Sequence, residues 1–74
     1  MKYTERIREL RKENGYTQTY VAKSIHVAQT TYSDYENSRL RISIKHLVEL
    51  ARFYDVDMDF ITGASNARKA FPQK

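Results

Sequence analysis

The sequence predicts an all-α fold of five helices, and three observations carry that expectation. Apolar residues recur three and four apart: Ile7/Leu10, Val21/Ile25, Tyr32/Tyr35 and Leu47/Leu50/Ala51/Tyr54. Capping residues (Thr17, Ser43, Asp57) open such stretches, and Gly15 and Gly63 follow others. Only Ser24 to Ala28 separate the second and third stretches. A short turn between two helices that share one apolar side is a helix-turn-helix.

The first helix is expected over about residues 4–14. Ile7 and Leu10 form its stripe, Gly15 stops it, and Glu5, Arg6, Arg8, Glu9, Lys12 and Glu13 form a solvated face. Arg11 differs, because it borders the buried stripe. Tyr16 should pack its ring under the second helix, residues 18–25, which Thr17 caps. There Val21, Ala22 and Ile25 cluster with Gln18, while Thr19, Tyr20 and Lys23 face away. His26 occupies the turn. Its type is enriched among non-glycine residues in the left-handed region, and it has no second ligand at metal spacing. Val27 must return to the core, and Ala28 precedes the third helix without offering a side-chain cap, a loss of about 1 kcal/mol.

The third helix, about residues 29–37, turns Tyr32 and Tyr35 inward. Thr30, Ser33 and Asp34 lie opposite, with Gln29 at the N-terminal edge and Thr31 at the flank. These short polar groups can read base edges in a major groove: Gln to adenine, Asp to the cytosine amine, the Thr methyl to the thymine methyl. In the second position of a helix-turn-helix, such a helix is the recognition helix. Gln29, Thr30, Ser33 and Asp34 are therefore the expected base readers. Asn37, Arg39 and Arg41 follow it and supply amide donors and positive charge for phosphates.

The fourth helix, residues 44–54, is capped by Ser43 and should be the central core helix. Ile44, Leu47, Val48, Leu50, Ala51 and Tyr54 share its apolar side, with Phe53 and His46 away from the stripe's centre. Asp57 caps a fifth helix, residues 58–62, with Met58 and Ile61 in the core and Gly63 closing it. The domain is thus expected over residues 1–63. Residues 64–74 are expected to form a frayed or partly helical tail, flexible or partner-docking, in which Phe71 could dock on a partner subunit.

Composition narrows the classes further. A chain of 74 residues makes one small domain with a modest core, marginally stable or helped by dimerisation. It has no cysteine, so no disulfide framework and no thiolate zinc site. No apolar run approaches the roughly 20 residues of a membrane span, and residues 1–5 lack a signal-peptide core. A net charge of +4 leans mildly toward a polyanionic partner.

Taken together, these pieces resemble the lambda-repressor-like (Xre/Cro-type) helix-turn-helix regulators. The matching residues are Thr17-Gln18, Val21-Ala22, Ile25, Val27, Tyr32 and Tyr35-Glu36-Asn37. Outside that motif, Ile7 to Leu10 and Arg11 with Gly15-Tyr16 resemble the family's first helix. Leu47 to Ala51 and Asp55 to Ile61 resemble its fourth and fifth. The likeness spans about residues 3–63. It implies a compact five-helix DNA-binding domain with an Arg11–Glu36 salt bridge, and a Gln18 that anchors a phosphate and buttresses Gln29. It also implies a two-fold dimer contact at the fifth-helix end, for which Phe53, Met58 and Phe60 are the candidates; the same rings could instead complete the monomer core. The chain departs from the family pattern at His26 and Ser38, where glycine is usual, at Ala28, where serine is usual, and near Ser43, where proline is usual.

The expected function is a sequence-specific double-stranded DNA-binding transcriptional regulator of the repressor kind. It is expected to be cytoplasmic and to act as a homodimer on a palindromic operator, with no cofactor and no membrane association. The alternative is a protein-interaction module such as an antitoxin or anti-repressor partner, for which Tyr20, Phe53, Phe60 and Phe71, read as exposed, are the motive. An enzyme is not expected, because His26 and His46 lie on separate elements without a paired nucleophile.

Overall fold

The structure, a computed structural model, describes residues 1–72. Five helices follow one another, α1 (Tyr3–Glu13), α2 (Gln18–Ser24), α3 (Gln29–Glu36), α4 (Ile44–Tyr54) and α5 (Met58–Ile61), with no strand among the described residues. None of these helices is long and apolar enough to cross a membrane. Each expected helix is present, within two residues of the expected bounds.

Helix starts follow side-chain chemistry. Thr17 accepts a hydrogen bond from the Tyr20 amide, Ser43 from that of His46, and Asp57 from that of Phe60. Ala28 has extended backbone and makes no such bond, so α3 begins without a side-chain cap.

Helix ends share one device. Gly15, His26, Ser38, Asp55 and Gly63 all adopt left-handed backbone, with φ of 69°, 61°, 61°, 53° and 84°. After α2 the His26 amide donates to the Lys23 carbonyl, and that of Val27 to the Ala22 carbonyl at 3.0 Å. After α3 the Ser38 amide donates to Tyr35, and that of Arg39 to Asp34 at 2.9 Å. These paired bonds are the Schellman arrangement, which satisfies carbonyls that would otherwise be orphaned. In this way a turn of very few residues redirects the chain from α2 into α3. At Gly63 there is a second constraint: a Cβ built there would lie 2.0 Å from the Met1 carbonyl oxygen.

Ile7, Leu10, Val21, Ala22, Ile25, Tyr32, Tyr35, Ile42, Leu47, Leu50, Ala51, Val56, Phe60 and Ile61 make one core. Val27, Tyr16, Phe53, Tyr54, Met58 and Phe71 pack partly against it. Tyr16 lies among Tyr20, Phe53 and Tyr54, with ring centroids 4.8, 5.5 and 6.4 Å away.

Several sequence expectations need correction. Ile44 does not join the α4 stripe; as the helix's first residue it is 72% exposed, and Leu47 one turn later is where α4 enters the core. Arg6 is not on a solvated face; it is 2% exposed, its guanidinium carbon stands 3.7 Å from the Phe60 ring centre, and its Nη2 donates to Asn66 Oδ1 at 2.8 Å. Position explains this: Arg6 lies one turn before Leu10 and its long stem covers apolar surface. His46 is half-buried, with Nδ1 3.0 Å from the Tyr35 hydroxyl. Phe60 is buried in its own chain beneath Arg6 and is not an open dimer contact, while Phe53 and Met58 are half-buried. Of the four rings read as exposed, only Tyr20 is.

Residues 64–72 carry no helix and are held at several points. Arg68 makes two hydrogen bonds to Glu13, at 2.7 and 2.9 Å. The Asp57 amide donates to the Lys69 carbonyl, and that of Phe71 to the Asp55 carboxylate.

The α2–α3 turn supplies a stability test. Left-handed backbone at a non-glycine residue costs about 1 kcal/mol, and a missing N-cap costs about as much. His26→Gly and Ala28→Ser, made singly, should each stabilise the domain by about 1 kcal/mol and raise Tm by roughly 4–8 °C. Thermal denaturation followed by circular dichroism checks both.

Candidate nucleic-acid interface

A buried carboxylate sits between α1, α2 and α3. Glu36, the last residue of α3, is 2% exposed. One of its oxygens, Oε2, accepts from Arg11 Nε at 2.7 Å and from the Tyr32 hydroxyl. The other, Oε1, accepts from Arg11 Nη2 at 3.1 Å and from Gln18 Nε2 at 3.3 Å. Arg8 caps the same helix end, with Nη2 donating to the Glu36 carbonyl at 2.9 Å. A buried charge is tolerable only with donors on its lone pairs, and here both oxygens have two.

Burial pushes the Glu36 carboxyl pKa up. Hydrogen bonds from Arg11, Tyr32 and Gln18 outweigh it, and the net shift is below the ordinary 4.5. The Arg11 guanidinium is raised by its hydrogen bond to Glu36. Burial, and then the bond to Glu36, drive the Tyr32 phenol far up, so Tyr32 remains a donor.

From this anchor the arrangement runs outward. Gln18, at the start of α2, accepts through Oε1 from Gln29 Nε2 at 3.0 Å. Arg11, Gln18, Gln29 and Glu36 are therefore one connected group. Gln29 and Thr30 are exposed at the start of α3, whereas Ser33 and Asp34 are half-buried. The inward side of the helix is occupied by Tyr32 and Tyr35, both in the core. Ser33 Oγ accepts from Asn37 Nδ2 at 3.2 Å, so that hydroxyl already has a partner. Asp34 receives the Arg39 and Leu40 amides on its backbone carbonyl. Arg39 and Arg41 are exposed in the loop after α3 and form no ion pair among the described residues.

Sequence reasoning missed Arg8, which reaches both the Glu36 carbonyl and Asn37 Oδ1. Its signal was the spacing: Arg8 and Arg11 lie three apart on one side of α1, and both meet the end of α3. Sequence reasoning also missed the tie between Tyr35 and His46, which joins α3 to α4. Among the described residues no three His, Cys, Asp or Glu side chains gather as a metal site.

The Glu36 group generates a pH prediction. With a folded pKa below its unfolded value, Glu36 contributes stability that is present above pH 4.5 and is lost as pH falls through the folded value. Glu36→Gln should cost about 3 kcal/mol at pH 7 by leaving Arg11 without its counter-charge. It should also flatten the acid limb. Urea midpoints measured at stepped pH for both proteins check the two effects.

Residues 7–61 match the helix-turn-helix family HTH_3. Two regulators of Bacillus subtilis (strain 168) are similar. The uncharacterized HTH-type transcriptional regulator YobD is 38% identical over 64 residues, 86% of this chain and 57% of that protein. The HTH-type transcriptional regulator AnsR is 32% identical over 69 residues, 93% of this chain and 60% of that protein. The chain thus spans less than two thirds of either relative's length. Among solved structures, the P22 c2 repressor protein in complex with a synthetic operator has a TM-score of 0.79 at 23% identity, covering 88% of this chain and 98% of that one. The N-terminal DNA-binding domain of Bacillus subtilis SinR has a TM-score of 0.72 at 28% identity, covering 80% and 87%. On its helices, its turn and these matches, the chain belongs to the lambda-repressor-like (Xre/Cro-type) helix-turn-helix family.

Proposed function

We propose that this chain is a sequence-specific double-stranded DNA-binding transcriptional regulator of the repressor kind that reads a major groove with α3. The observation that carries the reading is the exposed N-terminal end of α3: Gln29 and Thr30 face solvent while Tyr32 and Tyr35 are locked inside. Residues at that end of a recognition helix are the ones that meet base edges. The similar proteins named as transcriptional regulators support the same reading.

In the proposed mechanism Gln18, Asn37, Arg39 and Arg41 hold phosphates and set the register. Gln29 and Thr30 carry most of the base readout, and Ser33 and Asp34 contribute from half-buried positions. Gln18 serves twice, as phosphate contact and as buttress for Gln29. So few contacts give one domain little specificity, and a homodimer on half-sites about one helical turn apart multiplies it. Phe53 and Met58 are the candidates for that contact.

Two substitutions separate the roles. Gln29→Ala should weaken operator binding far more than binding to random duplex; equal losses in titrations at fixed salt would remove it as a base reader. Arg39→Ala should weaken both and lower the salt dependence of log K by roughly one counterion. A slope that does not change would remove Arg39 as a phosphate contact.

A further inference from the structure

We propose that Glu36 determines base specificity from the interior, by fixing which way the Gln29 amide points. The inference rests on the base-reading role proposed above and adds a residue that touches no base.

The argument is one of hydrogen-bond polarity. A primary amide is ambiguous, since its carbonyl and amino ends have nearly the same shape and can exchange by a flip. An ionised carboxylate is not ambiguous, because it only accepts. Arg11 and Tyr32 are both donors on Glu36, and they hold it in that ionised state. Gln18, 3.3 Å from Oε1, must therefore turn its amino group toward Glu36. The flipped alternative would set a carbonyl oxygen against a carboxylate oxygen.

That choice is then passed on. With its amino group turned toward Glu36, Gln18 presents its carbonyl oxygen to Gln29, 3.0 Å away, and keeps a second N–H free for phosphate. Gln29 must answer with an N–H. What remains on exposed Gln29 is one N–H and the carbonyl oxygen, in fixed order. Adenine presents the complement, an N7 acceptor beside an N6 donor. Guanine presents two acceptors, N7 and O6, so the fixed Gln29 carbonyl opposes O6. Glu36 is thus a positioning residue, and the relay from Glu36 through Gln18 to Gln29 favours A·T over G·C at the pair Gln29 meets.

The test compares Glu36→Gln and Gln18→Leu with the unmodified protein. Glutamine at position 36 can donate or accept, so the fixed polarity is lost; leucine at position 18 breaks the relay outright. Circular dichroism melts establish that each is folded, and Gln18→Leu carries the test should the buried substitution unfold the domain. Gln29→Ala identifies the base pair whose preference depends on Gln29. Competition titrations at fixed salt then use two duplexes that differ only there, A·T against G·C. The A·T preference should fall about tenfold in either variant, whereas Arg39→Ala should weaken both duplexes and keep their ratio. A second readout needs no DNA. In 15N-edited NMR spectra, one of the two Gln29 side-chain amide protons should exchange slowly and show a cross-peak to Gln18, and both signs should vanish in Gln18→Leu. Duplex binding with an unchanged A·T-to-G·C ratio in folded Gln18→Leu overturns the relay and leaves the proposed function standing. Absence of salt-sensitive duplex binding by the unmodified protein overturns the proposed function, and this inference with it.

Discussion

A single buried negative charge sets much of this domain's geometry. Glu36 belongs to α3, Arg11 to α1 and Gln18 to α2, and the three side chains meet within hydrogen-bonding distance. Apolar packing alone would fix these helices only loosely, since volume-conserving changes in a core are well tolerated. A carboxylate that needs donors on both oxygens is less forgiving. Displacing α1 or α2 by an ångström would leave it partly unsatisfied at a cost of kilocalories. The ion pair therefore specifies the mutual placement of three helices, and with it the direction in which the exposed edge of α3 faces.

The helix ends supply the complementary constraint. Among the described residues five left-handed positions end the five helices, and only three to seven residues separate one helix from the next. Two are glycines, and His26, Ser38 and Asp55 take up strain that glycine would avoid. His26 and Ser38 flank α3, the element proposed to read bases. The uncapped start at Ala28 falls at the same place. Local weakness thus gathers around α3, and Glu36, Tyr32 and Tyr35 hold that helix from below.

The helix pattern was legible because it depends on short-range rules. Thr17, Ser43 and Asp57 cap where their types and positions indicated, and the 3.6-residue period located Ile7, Leu10, Val21, Ile25, Tyr32 and Tyr35. What escaped were side chains whose type contradicts their position. Arg6 is charged, yet it sits on the buried side of α1, and its partners Phe60 and Asn66 lie more than fifty residues away in sequence. Ile44 is apolar, yet it stands at the open end of α4. No periodicity reports where a neighbouring element stops. The bonds around Glu36 are of the same long-range kind; only the resemblance to a known family suggested one of them, and the Gln18 amide's contact with that carboxylate had no local signature.

The placement of charge also bears on how such a domain can change its preferences. Arg39 and Arg41 are exposed on a loop, where substitution costs the fold little and alters a proposed phosphate contact, of a kind that carries no sequence information. Gln29 and Thr30, the proposed base readers, are exposed as well. Gln18 is different, because it joins the exterior to the buried pair, and changing it disturbs a neighbour on each side. Substitutions at Gln18 and Gln29 should therefore be non-additive, as expected for residues in one network, while those at Arg39 should add independently to either. On the proposed reading, affinity falls to separable loop cations and specificity to a chain of amides whose inner end is a charge the solvent barely reaches.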